Sequence, residues 1–118
     1  MTALLVCLAG AAGALSRYGI GLAAGASGLT WATFGINVAG SFALGLLLPF
    51  ADGLSPEVRT ALAVGFLGSF TTFSTFSVDG FLFLDSGRAG LAAVYLAGSV
   101  AAGVAAAFAG YELGRALN

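Results

Sequence analysis

The sequence has no lysine and no histidine, one cysteine and two prolines. Its charges are four arginines and five acids in 118 residues. Each shortage excludes something. Without His there is no His-based catalytic triad and no His-ligated metal. A lone thiol, Cys7, cannot close an internal disulfide or join a multi-thiolate metal site. No nucleophile is paired with a base, so an enzyme is not expected. A net charge of −1 offers no basic footprint for nucleic acid. Ordinary soluble domains carry about 25% charged residues. This chain carries 8%. So few charges cannot cover the surface of a soluble domain of this size.

What fills the chain instead is apolar. Hydrophobic residues make up 59%, and the mean hydropathy is +1.03. The length allows a single domain, residues 1–118. The composition describes an all-α integral membrane protein in contact with lipid. A membrane-spanning helix needs about 20 mostly apolar residues. Four stretches qualify: approximately 2–24, 30–50, 56–84 and 88–112. Gly25-Ala26-Ser27-Gly28 separates the first two. Ser55-Pro56-Glu57 opens the third with an N-cap, a proline at the first helical position and an acid in the first turn. Asp85-Ser86-Gly87-Arg88 precedes the fourth. The first stretch is not expected to be a cleavable leader: it lacks a charged start, its apolar run is too long, and Arg17 lies inside it. No segment alternates apolar and polar as a barrel strand does.

Glycine occurs 19 times, often inside these stretches. Gly21-xxx-Gly25, Ser41-xxx-Gly45 and Ser99-xxx-Gly103 are small-residue pairs that let helix backbones approach closely. Orientation follows the arginines near helix ends. With four spans, Arg59 and Arg115 fall on one side and Arg17 and Arg88 on the other. The rule then gives no preference. Either something else sets orientation, or the chain inserts both ways and opposed copies pair as an antiparallel dimer.

The third stretch is unusual. Residues 68–77 read Gly-Ser-Phe-Thr-Thr-Phe-Ser-Thr-Phe-Ser, in the middle of a span. Ser and Thr compete with the helix for local backbone groups. A break near 68–74 is one reading, and a mid-membrane break is a recurrent way to build an ion site. An intact helix with back-bonded hydroxyls is the other. Phe70, Phe73 and Phe76 recur every three residues. They either pack, or turn their positive ring edges toward an anion. Asn37 is the only amide within the spans. It is either interhelical glue or a ligand for something that passes. Tyr95 and Ser99 share one face of the fourth stretch. Arg17 either snorkels to the interface or draws anions to a vestibule. Asp79 sits close enough to the end of its segment to reach water. No other carboxylate lies near mid-span.

Three motifs carry a resemblance. They are Gly10-Ala-Ala-Gly-Ala-Leu-Ser-Arg17-Tyr18, Thr33-Phe-Gly-Ile-Asn37-Val-Ala-Gly-Ser-Phe-Ala-Leu-Gly45 and Gly65-Phe-Leu-Gly-Ser-Phe-Thr-Thr-Phe-Ser-Thr-Phe-Ser77. With them the chain resembles the Fluc (CrcB) family of fluoride channels over its whole length. That resemblance implies an antiparallel, dual-topology homodimer in the plasma (inner) membrane of a prokaryote, with two fluoride pores. It implies a structural Na+ at the dimer centre, held by backbone carbonyls of Gly68 and Thr71, and no organic cofactor. The rings of Phe73 and Phe76 would line the pathway by their edges. Asn37 would donate its amide to fluoride. Thr72, Ser74, Thr75, Tyr95 and Ser99 would supply a polar track, and Arg17 would serve a vestibule or the fold. Two departures stand out: Ser69 where the family often has a second glycine, and Gly103 where the fourth helix often carries another hydroxyl.

The expected activity is passive, fluoride-selective conduction that relieves fluoride toxicity. Two rivals stand beside it. A small dual-topology multidrug transporter would need a membrane carboxylate that the first span lacks. A non-transporting accessory subunit would conduct nothing.

Overall fold

The computed structural model describes residues 1–118 and is helical almost throughout, with no strands. Its elements are α1 (Thr2–Leu47), a 3-10 turn (Leu48–Gly53), α2 (Pro56–Thr60), a wide π-helical stretch (Ala61–Leu67), α3 (Gly68–Phe70), α4 (Phe73–Asp85) and α5 (Ala89–Leu117). Three helical runs are long and apolar enough to cross a membrane: Thr2–Gly53, Pro56–Asp85 and Ala89–Leu117.

The first run is not straight. A 46-residue helix extends about 69 Å at 1.5 Å per residue. The whole molecule measures 49 Å along its longest axis. The chain folds back at Gly25, whose φ of 66° and ψ of 175° belong to neither arm. An L side chain rarely adopts that φ, and glycine adopts it without strain. The bend therefore sits on one residue. Ala26, Ser27 and Gly28, expected to share the interruption, are already helical. Arms 2–24 and 26–47 lie against different neighbours. Gly13 on the first faces the backbone of Phe66, whereas Gly110 on α5 faces the carbonyl of Phe42 on the second. A Cβ at Gly110 would collide with that carbonyl. Small residues here do what lipid-phase packing asks of them: they let backbones touch.

The third run starts as its sequence dictates. Ser55 accepts from the Val58 N–H at 3.4 Å, Pro56 follows, and Glu57 occupies the first turn. The break in this run is narrower than 68–74. Gly68 is helical, with φ −63° and ψ −32°. Only Thr71 and Thr72 are extended, with ψ of 162° and 117°. Arg88 closes the next turn by lying over the Phe83 ring, 4.9 Å from its centroid. The last helix runs to Leu117, five residues past the expected 112.

Little of the chain is hidden. Only 16 of 118 residues are buried. The one compact apolar cluster is Phe83, Ala92 and Tyr95, flanked by Phe34, Phe76, Leu91 and Leu96. Exposed large apolar side chains cover the remaining surface. In water this would be untenable, whereas a lipid environment removes the penalty.

Candidate functional site

The site grows from the break. Two extended residues inside a helix free backbone groups, and in hydrocarbon each free group must be satisfied by protein or by a polar cavity. Asn37 meets part of that need. Its Oδ1 accepts from the Thr72 N–H at 2.8 Å, and its Nδ2 donates to the Thr72 carbonyl at 3.0 Å. One side chain thus replaces both helical bonds of one residue. Thr72 then caps α4. Its Oγ1 accepts from the Thr75 N–H at 3.2 Å and donates to Thr75 Oγ1 at 3.0 Å. Ser74 Oγ lies 3.4 Å from the same oxygen. Thr71 bonds back: its N–H and its hydroxyl both donate to the Leu67 carbonyl, at 3.0 and 2.9 Å. The Thr71 carbonyl, outside any helix, accepts no hydrogen bond from the chain. It is a free acceptor at the break.

An open groove of about 480 Å³ runs beside this break. It brings together Asn37, Gly68, Thr71, Thr72, Phe73, Phe76 and Ser99. No charged side chain lines it. Ser99 Oγ is buried and has no hydrogen-bond partner in the chain. An unmet buried hydroxyl costs about 1–3 kcal/mol. Phe73 is 80% exposed and Phe76 is half-buried, with the two centroids 5.8 Å apart.

A second cavity, of about 590 Å³, lies inside the fold-back of α1. Arg17, Thr33, Thr72 and Thr75 line it. Arg17 has no acidic partner there, because the chain's one ion pair is Arg115 with Glu112, at 3.3 Å. Thr72 belongs to both cavities and so stands between them.

Some residues singled out from the sequence fall outside the groove. Thr75 and Arg17 line the second cavity, and Ser74 is exposed on α4. Tyr95 sits behind Phe76, 5.6 Å between centroids, and only 2% exposed. Its hydroxyl donates to Asp79 Oδ2 at 3.1 Å. Asp79 is half-buried, with one carboxylate oxygen engaged by Tyr95. The Asn37–Thr72 pairing is not local, since 35 residues separate the partners. A signal existed nonetheless: one amide in the spans and one helix break are complementary.

Comparison with known proteins agrees with this architecture. The profile of "CrcB-like protein, Camphor Resistance (CrcB)" matches residues 4–111. The fluoride-specific ion channel FluC of Thermus thermophilus is 46% identical over 119 residues, covering 97% of this chain and 95% of its own. FluC of Rhodopseudomonas palustris is 45% identical over 124 residues and covers both chains fully. FluC 2 of Geobacillus kaustophilus is 44% identical, covering 94% of this chain and 91% of its own. A match that spans the bend, the break and α5 together leaves one conclusion: the chain belongs to the CrcB-like family.

Proposed function

We propose that this chain is a passive, fluoride-selective channel and not an enzyme. The observation that carries the reading is the groove's chemistry. Neutral hydroxyls, including the unpartnered Ser99, lie beside the rings of Phe73 and Phe76, and no carboxylate lines the space. Fluoride is small and strongly hydrated, so a pore must replace its water with donors. Several moderate donors and positive ring edges do this without a fixed charge that would trap the ion. Asn37 spends one amide proton on Thr72 and keeps the other for an anion. Thr72, Ser74, Thr75 and Tyr95 extend the polar track on either side of the groove. Arg17 draws anions into the second cavity. Relatives at 44–46% identity are named fluoride-specific ion channels, which supports the same ion for this chain.

The two arms of α1, the run Pro56–Asp85 and α5 then make four membrane spans of a multi-pass protein in a prokaryotic inner membrane. The working unit is a homodimer of oppositely oriented copies, with two pores. Balanced arginines, the small buried fraction and the exposed Phe73 support that arrangement. The break also suits Na+. A hard cation takes oxygen ligands, and the backbone carbonyls of Gly68 and Thr71 would be such ligands. These two residues from each copy would hold the ion at the dimer centre, where it would supply a positive charge.

The test is efflux from liposomes holding purified protein, read by a fluoride electrode with chloride followed in parallel. Fast fluoride release with little chloride release is expected. No release from folded, dimeric protein would favour a non-transporting subunit. Drug efflux driven by a proton gradient would favour a multidrug transporter.

A further inference from the structure

The groove uses Phe73 and Phe76 but does not explain what holds them. Four rings run in series: Phe73, Phe76, Tyr95 and Trp31. Their successive centroids are 5.8, 5.6 and 6.3 Å apart. The first two contacts are tilted, at 43° and 39°. The third is nearly perpendicular, at 86°. Edge-to-face geometry is the arrangement that ring quadrupoles favour. Trp31 meets Phe34 in the same way, at 76°.

Tyr95 is gripped from every side the structure offers. Phe83 stands edge-on to it at 80°, Asp79 fixes its hydroxyl, and Trp31 closes another side. Phe76 leans on this immobilised ring. Trp31 itself is 55% exposed and lines neither cavity, and its indole makes no hydrogen bond within the chain. Its ring contacts are with Tyr95 and Phe34 alone.

We infer that Trp31 is a positioning residue for the pathway: its edge-to-face contact holds the Tyr95 ring, and Tyr95 in turn sets the Phe76 ring that borders the groove. This rests on reading the groove as an anion path. Trp31 touches no ion. It acts through one ring on another, so its loss loosens the border rather than removing a ligand. A looser border admits a larger anion. The consequence is read in selectivity, not only in rate.

The experiment compares the full chain with Trp31→Ala and Trp31→Phe in liposomes, following fluoride and chloride release together. Each protein is first shown to run as one monodisperse species. The expected result is that Trp31→Ala lowers the fluoride-to-chloride ratio by roughly three- to tenfold, the scale of losing one edge-to-face aromatic pair. Trp31→Phe, which keeps a ring edge, restores most of that ratio. A mere membrane anchor or folding residue would reduce the number of working channels and scale both rates alike. Rates that fall in proportion, or an unchanged ratio in Trp31→Ala, overturn the inference. Wild-type protein that releases no fluoride overturns the channel reading first, and the role of Trp31 with it.

Discussion

Asn37 holds both backbone groups of Thr72, so any change to it touches the helix break. Asn37→Asp keeps the acceptor for the Thr72 N–H but sets a second oxygen against the Thr72 carbonyl. Loss of that donor is expected to cost about 1–3 kcal/mol in thermal unfolding and to depress fluoride efflux. An unchanged melting temperature with full efflux would contradict the pairing. Phe73→Ile and Phe76→Ile remove ring edges while keeping apolar bulk. Fluoride efflux should fall in both while cross-linking still traps the proposed dimer. Asp79 is a separate matter. Its carboxylate accepts the Tyr95 hydroxyl, and Asn at this position still accepts a hydrogen bond. Asp79→Asn should therefore keep fluoride efflux, whereas a proton-coupled exporter relying on that acid would lose transport against a pH gradient.

At the scale of elements, the break is held by a cap as well as by a neighbour. Thr72→Val removes the oxygen that accepts from the Thr75 N–H. The expected cost is about 1 kcal/mol, seen as a lower melting temperature and faster hydrogen exchange at the start of α4. Unchanged exchange there would mean that Asn37 alone defines the end. Much of this scale could be read from residues. Pro56 with Ser55 marked a helix start, because that signal rests on local backbone chemistry; the Ser/Thr run allowed either a break or an intact helix, and the structure has the break. Gly25 was one member of a plausible four-residue interruption, but only its φ shows that one residue suffices. The π-helical stretch Ala61–Leu67 left no trace, since its wide turns answer to packing against the first arm and not to local preference. Gly68 misled for a related reason: freedom to break a helix is not a reason to break it. The site followed the same division. Residue types and rough placement were legible, whereas Asn37 with Thr72 and Asp79 with Tyr95 needed the fold to bring them together.

At the scale of the whole molecule, the chain leaves most of its apolar surface uncovered, and its arginines are evenly divided between the two faces of a four-span layout. Added lysines should break that balance. Three Lys residues placed in the Leu48–Gly53 connection should fix one orientation and depress efflux by at least half. Co-expression with a copy biased the other way should restore it. Full activity from a population of one orientation, as read by accessibility labelling of an added cysteine, would exclude the antiparallel pair.

The pairing of Asn37 with Thr72 also sets an order of events. A chain made from its N-terminus delivers Asn37 to the membrane 35 residues before Thr72. The repair is thus in place before the damage arrives. Were the order reversed, two extended residues would enter hydrocarbon with nothing to hold them, and the segment would do better to close into an unbroken helix. Synthesis in this direction lets the earlier arm act as a template, so that the interruption in the later one forms on arrival and stays open.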